Sequence, residues 1–102
     1  MYTLEITSSA ESDIDQITDY LGNELANPSA ALAFLDEVER VSDSLEETPE
    51  LFPLCADSSL AELGYRKAIV RAYILVYEID KASGVVRVLR FFHESENYTQ
   101  KL

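Results

Sequence analysis

Two arginines and two tyrosines in the last third of the chain have the side chains best suited to recognition chemistry: Arg66, Tyr73, Tyr77 and Arg90. Guanidinium groups bind phosphate or carboxylate oxygens in a planar fork, and aromatic rings stack on nucleic-acid bases. On one shared surface, these four side chains would hold a phosphate, an acidic partner protein or stacked bases. Tyrosine and arginine also cover the half-exposed face of many antiparallel sheets, so a purely structural role is the alternative.

The chain has a single histidine, His93, and a single cysteine, Cys55. Histidine has an unperturbed pKa of about 6.5, which suits a general acid or base at neutral pH, although a polar residue at the end of a strand needs no such role. One cysteine cannot form an internal disulfide, and no Cys/His grouping has the spacing of a zinc site. We therefore expect no metal and no cofactor.

Three strands are predicted to position these residues, at about Tyr65–Val70, Tyr73–Ile79 and Val85–His93, because these segments are rich in Val, Ile, Tyr and Phe. Asp80 to Gly84 is a good hairpin loop, since its glycine can adopt a positive φ. Arg71-Ala72 is a poor turn by composition, so the first hairpin rests on the flanking strand pattern. The three strands together form an antiparallel meander.

The register of the meander decides which side chains share a face. A two-residue turn at Arg71-Ala72 and a four-residue loop at Lys81–Gly84 pair residues 70 with 73, 68 with 75, 66 with 77, 79 with 86, 77 with 88 and 75 with 90. Paired residues share a face, as do alternate residues along a strand. We therefore predict one face formed by Ile69, Ile74, Val76, Leu89 and Phe91, apolar enough to receive helices. The opposite, uncovered face then has Arg66, Tyr73, Tyr77 and Arg90 together.

Two helices are predicted before the meander, after a short strand at Tyr2–Thr7 that alternates apolar and polar residues. Ser8 and Glu11 form a capping-box signature that begins the first helix. Asn27-Pro28 begins the second, which ends before Pro49 because the residue preceding a proline avoids the helical region. The connection from Pro49 to Gly64 is irregular, with one helical turn near Ser59–Leu63. The fold class is α+β: one domain over residues 1–102, with the helical hairpin on one face of the meander and the N-terminal strand added to the sheet.

The net charge is −11, which disfavours adhesion to nucleic acid or to an anionic membrane. The charge is unevenly distributed. Residues 1–63 have one basic residue against fifteen acidic ones, whereas residues 64–102 have seven basic against four acidic. Acidic helices are often simply solvated, but such asymmetry is also typical of two surfaces with different partners. The sequence shows no signal peptide and no apolar stretch of membrane-spanning length, so we expect a cytoplasmic protein.

The chain resembles the RelE/ParE superfamily of bacterial type II toxins. The resemblance rests on three motifs in order: Gly64-Tyr65-Arg66, Tyr73-Ile74-Leu75-Val76-Tyr77, and Leu89-Arg90-Phe91-Phe92-His93 with Tyr98 beyond. The helix start at Asn27-Pro28 and the Leu45…Pro49 segment are also similar to the family. The resemblance implies a toxin that a cognate antitoxin neutralises, with growth arrest and plasmid stabilisation as its effects.

Two activities are found among relatives, and the resemblance leaves both open. ParE-like toxins poison DNA gyrase by protein–protein contact, which is the activity we expect here. RelE-like toxins cleave mRNA on the ribosome, which would use Arg66 and Arg90 on the phosphate, His93 as acid or base and Tyr98 as a stacking ring. Against the nuclease, Ile74 stands where some nucleases have a catalytic arginine, and Glu94-Ser95-Glu96-Asn97 replaces a stretch that is often basic.

A third alternative is a decayed toxin domain that retains only antitoxin binding. Under every alternative, the fifteen carboxylates before residue 64 lead us to expect basic residues in the antitoxin segment that crosses them.

Overall fold

A four-stranded mixed sheet organises the chain in the computed structural model, which describes all residues from Met1 to Leu102. The strands are β1 (Thr3–Ile6), β2 (Arg66–Val70), β3 (Tyr73–Asp80) and β4 (Val85–His93). Their order in the sheet is β1-β4-β3-β2; β1 runs parallel to β4, and the other two pairs are antiparallel. The predicted α+β class, the meander and the added N-terminal strand are therefore confirmed.

The helices are α1 (Ser8–Asp19), α2 (Pro28–Glu47) and the short α3 (Ser58–Glu62). A π-helical turn at Tyr20–Glu24 extends α1, and 3₁₀ turns lie at Pro49–Leu51 and Tyr98–Gln100. None of the helices combines the length and apolarity that crossing a membrane requires.

The predicted N-terminal cap is observed at α2, whereas the cap of α1 lies one residue before the predicted one. The Asn27 side chain accepts from the Ala30 amide and Pro28 is the first residue of α2, as predicted. Thr7, and not Ser8, caps α1 by accepting from the Ala10 amide at 3.1 Å. The Thr7 hydroxyl also donates to the Leu89 carbonyl at 3.0 Å, which fixes the start of α1 against β4.

The predicted register is confirmed except at its last pair. Arg66 pairs with Tyr77 across the first hairpin, and Tyr77 with Val88 across the second, as expected. A β-bulge between Val76 and Tyr77 then shifts β4 by one residue, so that Leu75 pairs with Phe91 and not with Arg90. Because side chains alternate along a strand, this single extra residue reverses the direction of the side chains beyond it.

The predicted assignment of the sheet faces is wrong for most residues. The face that receives α2 contributes Ala68, Val70, Tyr73, Leu75, Tyr77, Val86, Val88 and Phe91 to a main core with Phe34, Val38, Val41 and Leu45. Of the residues expected there, only Phe91 is present. The reason is physical: five consecutive residues at the start of β3 are buried, so both faces are apolar and the sequence has no polar alternation to tell them apart.

The opposite face of the sheet is also covered. A second cluster of Cys55, Leu60, Ile74, Val76 and Phe92 is buried there, with Tyr65, Leu89 and Tyr98 packed against it. Its cover comes from the connection between α2 and β2, which includes α3, and from the C-terminal tail. The uncovered face that the sequence predicts is therefore absent at β3.

Candidate functional site

Arg66 and Arg90 lie on opposite faces of the sheet. Arg66 is paired with Tyr77 on the face that receives α2, and its guanidinium donates to the Phe52 carbonyl at 2.6 Å. Arg90 is paired with Val76 on the other face, where its guanidinium lies 5.1 Å from the centre of the Phe92 ring. The bulge between Val76 and Tyr77 causes this separation, so the shared surface predicted for Arg66, Tyr73, Tyr77 and Arg90 is wrong.

The two tyrosines of the predicted surface are core residues. Tyr77 is fully buried, its ring packs against Phe52, and its hydroxyl donates to the Pro49 carbonyl at 2.6 Å. Burial raises the pKa of Tyr77 to about 12. Tyr73 is also buried, with its ring edge-on to Phe34. Of the two, only Tyr73 lies beside a cavity. Tyr77 has no surface that a partner could contact, so the structure does not support the binding role predicted for it.

Arg90 is bound by a buried carboxylate that the sequence analysis passed over. Asp13 on α1 accepts from the Arg90 Nε at 2.7 Å, from its Nη2 at 3.1 Å and from the Phe91 amide at 2.9 Å. Hydrogen bonding to Asp13 raises the pKa of Arg90. Strand β1 ends opposite Val88, so Asp13 takes over the pairing of β4 where β1 stops. The only signal in the sequence was an aspartate beside the apolar stripe of the first helix.

The hydrogen bonds of His93 define its tautomer. The Ser95 amide donates to His93 Nδ1 at 3.1 Å, and the Ser95 hydroxyl lies 2.7 Å from the same nitrogen. A nitrogen that accepts an amide proton cannot have one, so the neutral ring has its proton on Nε2. His93 therefore offers Nε2–H as a donor, and a general-base role for Nδ1 would require breaking the hydrogen bond from the Ser95 amide.

Tyr98 belongs to the second cluster. Its ring stacks on Phe92 with centroids 5.6 Å apart, and it packs against the cluster that includes the buried thiol of Cys55. Burial raises the pKa values of the Tyr98 hydroxyl and the Cys55 thiol. The tail is further held by Glu96, which accepts from the His93 amide at 2.9 Å and pairs with Lys101 at 2.5 Å. Base stacking on Tyr98 would require the tail to leave the sheet.

A small polar cavity of about 250 Å³ lies between Arg90, His93 and Lys101. Asp13 and Glu96 also line it, and each of these carboxylates is already bonded to a cation. Of the four residues that a nuclease would use, the structure thus brings only Arg90 and His93 to the same cavity. The ring of Tyr98 is packed on Phe92, and Arg66 lies on the other face of the sheet. No three Cys, His, Asp or Glu side chains converge as metal ligands would.

A larger apolar groove of about 900 Å³ adjoins this polar cavity. Its walls come from the end of α1 with its π-helical turn, the start of α2 and the turn between β2 and β3. The apolar and aromatic side chains that line it are those of Ile17, Tyr20, Leu21, Leu25, Ala30, Phe34, Ala72 and Tyr73. Arg71 and His93 also border the groove. This groove was not predicted from the sequence, although the unusual composition of the Arg71-Ala72 turn was a signal.

This architecture is the RelE/ParE-like fold. The chain is similar to a solved RelBE2 toxin–antitoxin complex from Mycobacterium tuberculosis, with a TM-score of 0.63 and 24% identity over 90% of this chain and 96% of that one. It is also similar to a chromosomal ParDE toxin–antitoxin system from P. aeruginosa, with a TM-score of 0.72 and 18% identity over 91% of this chain and 96% of that one. No curated protein sequence matches significantly.

Residues 4–98 match the family of ParE toxins of type II toxin–antitoxin systems, parDE. Because the match extends over most of the 102 residues, the chain belongs to this family of toxins.

Proposed function

We propose that this toxin acts in the cytoplasm by protein–protein contact with DNA gyrase, and that a cognate antitoxin neutralises it. The observation that supports gyrase over mRNA as the target is the dispersal of the nuclease candidates. Cleavage of RNA without a metal needs cationic groups on the phosphate together with an acid and a base at the reacting oxygens. Arg66 is on the wrong face for such a site, and Arg90 is neutralised by Asp13.

The state of His93 also favours a non-catalytic role. With Nδ1 accepting from the Ser95 amide, the neutral ring has no free lone pair to take a proton from a ribose hydroxyl. The overall charge of −11 adds a cost for entering a site surrounded by phosphates. Binding to a partner protein requires neither a free histidine lone pair nor a positive net charge, since a protein can be bound through apolar and polar surface alone.

Neutralisation by an antitoxin is supported by the family and by the two neighbours, both solved as toxin–antitoxin systems. The outer faces of α1 and α2 are rich in exposed carboxylates, including Asp15, Asp19, Asp36 and Glu39. Complementary charge steers association and selects partners. We therefore propose that the antitoxin segment crossing these faces is basic; a uniformly acidic antitoxin would contradict this.

Induction of the toxin in growing cells distinguishes DNA gyrase from mRNA as the target. A gyrase poison is expected to induce the DNA-damage response and to halt DNA synthesis while translation continues at first. Co-expression of the cognate antitoxin should restore growth. An immediate block of translation with cleaved mRNA would refute the gyrase target. Growth unchanged by full-length toxin would indicate a decayed domain that retains only antitoxin binding.

The second candidate is a ribosome-dependent mRNA endonuclease, favoured by one observation: Arg90, His93 and Lys101 border the same polar cavity. This candidate requires that His93→Ala and Arg90→Ala abolish growth arrest in protein that is still folded. Undiminished toxicity of both variants would remove it.

A further inference from the structure

The apolar groove is surrounded by unusual backbone. The π-helical turn at Tyr20–Glu24 forms one side, and such turns are rare and frequent at functional sites. Ala26, next to Leu25 in the groove, has φ of 50°, and Arg71 on the opposite side has φ of 57°. These are the only two residues other than glycine with a positive φ. Strained backbone of this kind clusters at functional sites and at ligand-binding surfaces.

The charge inside the groove is opposite to that of the protein. The chain has a net charge of −11, yet no carboxylate lines the groove, and Arg71 is its one fully ionised side chain. Arg71 is exposed and forms no ion pair. Glu37 is near enough for Arg71 to contribute to its lowered pKa, but the Glu37 carboxylate is bound in a fork by Arg40 at 2.8 and 2.7 Å.

The other polar groups near Arg71 are donors or neutral groups. His93 offers its Nε2–H because its Nδ1 accepts from Ser95, and Tyr20 and Tyr73 contribute hydroxyls. A guanidinium without an anion beside an apolar groove is complementary to a carboxylate on an apolar segment. A basic segment, which suits the outer faces of the helices, would be repelled here.

We propose that the groove binds a segment of the cognate antitoxin whose apolar side chains fill it and whose aspartate or glutamate pairs with Arg71. The inference rests on the proposed neutralisation and adds to it a location and a contact. The antitoxin segment is then mixed in charge: basic over the acidic helix faces, with one carboxylate where it reaches the turn between β2 and β3.

Calorimetric titration of the full-length toxin with its full-length cognate antitoxin tests this. We expect Arg71→Glu and Leu25→Glu each to weaken binding by at least about tenfold. Lys81→Glu makes the same charge change at the exposed loop between β3 and β4, and Leu63→Glu alters a leucine after α3 that is also more than half exposed. Both controls should bind within about threefold of wild type.

A second substitution of Arg71 distinguishes a loss of antitoxin binding from a loss of stability. Arg71→Gly places glycine at a positive φ, so its thermal midpoint should be no lower than that of wild type while its antitoxin binding falls as in Arg71→Glu. An acidic-to-arginine scan of the antitoxin should find one position that restores binding to Arg71→Glu.

Unchanged affinity of Arg71→Glu and Leu25→Glu would overturn the groove assignment and leave neutralisation standing. Wild-type toxin that does not bind the antitoxin at all would overturn both.

Discussion

Replacing Asp13 by alanine should destabilise the fold more than any other substitution of an acidic residue. Its side chain is only 11% exposed and accepts three hydrogen bonds, two from Arg90 and one from the Phe91 amide. The alanine variant leaves a buried amide without an acceptor, which costs about 1–3 kcal/mol. Arg90 is 34% exposed, so solvent recovers part of its lost pairing energy.

Together, the unpaired Phe91 amide and the lost ion pair with Arg90 should lower the free energy of unfolding by about 3 kcal/mol. This is less than the largest losses seen when a fully buried ion pair is broken. In a chain of this size, a loss of about 3 kcal/mol lowers the thermal midpoint by roughly 12–18 °C. Asp13→Asn keeps one oxygen for the Phe91 amide and should lose about half as much. Asp15→Ala, an exposed aspartate on the same helix, is the matched control and should change stability by less than about 0.5 kcal/mol.

Urea unfolding of the four proteins measures these differences. If Asp13→Ala loses less than about 1 kcal/mol, or no more than Asp15→Ala, then Asp13 does not stabilise β4 through Arg90 and the Phe91 amide. A double-mutant cycle with Arg90→Ala isolates the ion pair, because Asp13→Ala removes the bond from the Phe91 amide equally in the wild-type and the Arg90→Ala background, so that this loss cancels.

Three further predictions concern Tyr77, Glu96 and His93. Tyr77→Phe should cost about 1–2 kcal/mol through the lost bond to the Pro49 carbonyl. In an ultraviolet titration, the same variant should lack the tyrosine whose pKa is about 12. Because the phenol ionises near pH 10 in the unfolded chain, the free energy of unfolding of the wild type should decrease as the pH rises from about 10 to about 12. The bonds from Lys101 and the His93 amide lower the pKa of Glu96 from 4.5. Its contribution is therefore complete above pH 4.5 and lost as pH falls through the folded value, so the thermal midpoints of wild type and Glu96→Gln should converge in acid and remain apart at pH 6. His93→Ala should retain growth arrest at matched expression; loss of arrest in folded protein would favour the nuclease.

The strand positions were predictable because the β-rich segments are continuous and end at turn residues. Val85–His93 was predicted to the residue, and the register of the first hairpin followed from the length of its turn. The start of α2 was equally predictable, since Asn27 and Pro28 have the cap and first-turn chemistry that a helix needs.

The faces of the sheet could not be predicted from the sequence. From Tyr73 to Tyr77 every residue is apolar or aromatic and every one is buried, so no alternation distinguishes the two faces. The bulge after Val76 has no glycine or proline to mark it, yet it separates Arg90 from Arg66. Asp13 was missed because its partners, Arg90 and the Phe91 amide, are 77 and 78 residues away in the sequence. Arg71 was missed because the groove that it borders is formed by segments distant in sequence.

The most direct test of a protein-contact toxin is the reaction of purified gyrase with supercoiled plasmid in the presence of the toxin. We expect that micromolar toxin traps gyrase on cleaved DNA, that His93→Ala does so equally, and that prior addition of antitoxin prevents it. Absence of trapped cleavage complexes, with cleavage of mRNA in a purified translation reaction by the same preparation, would contradict it.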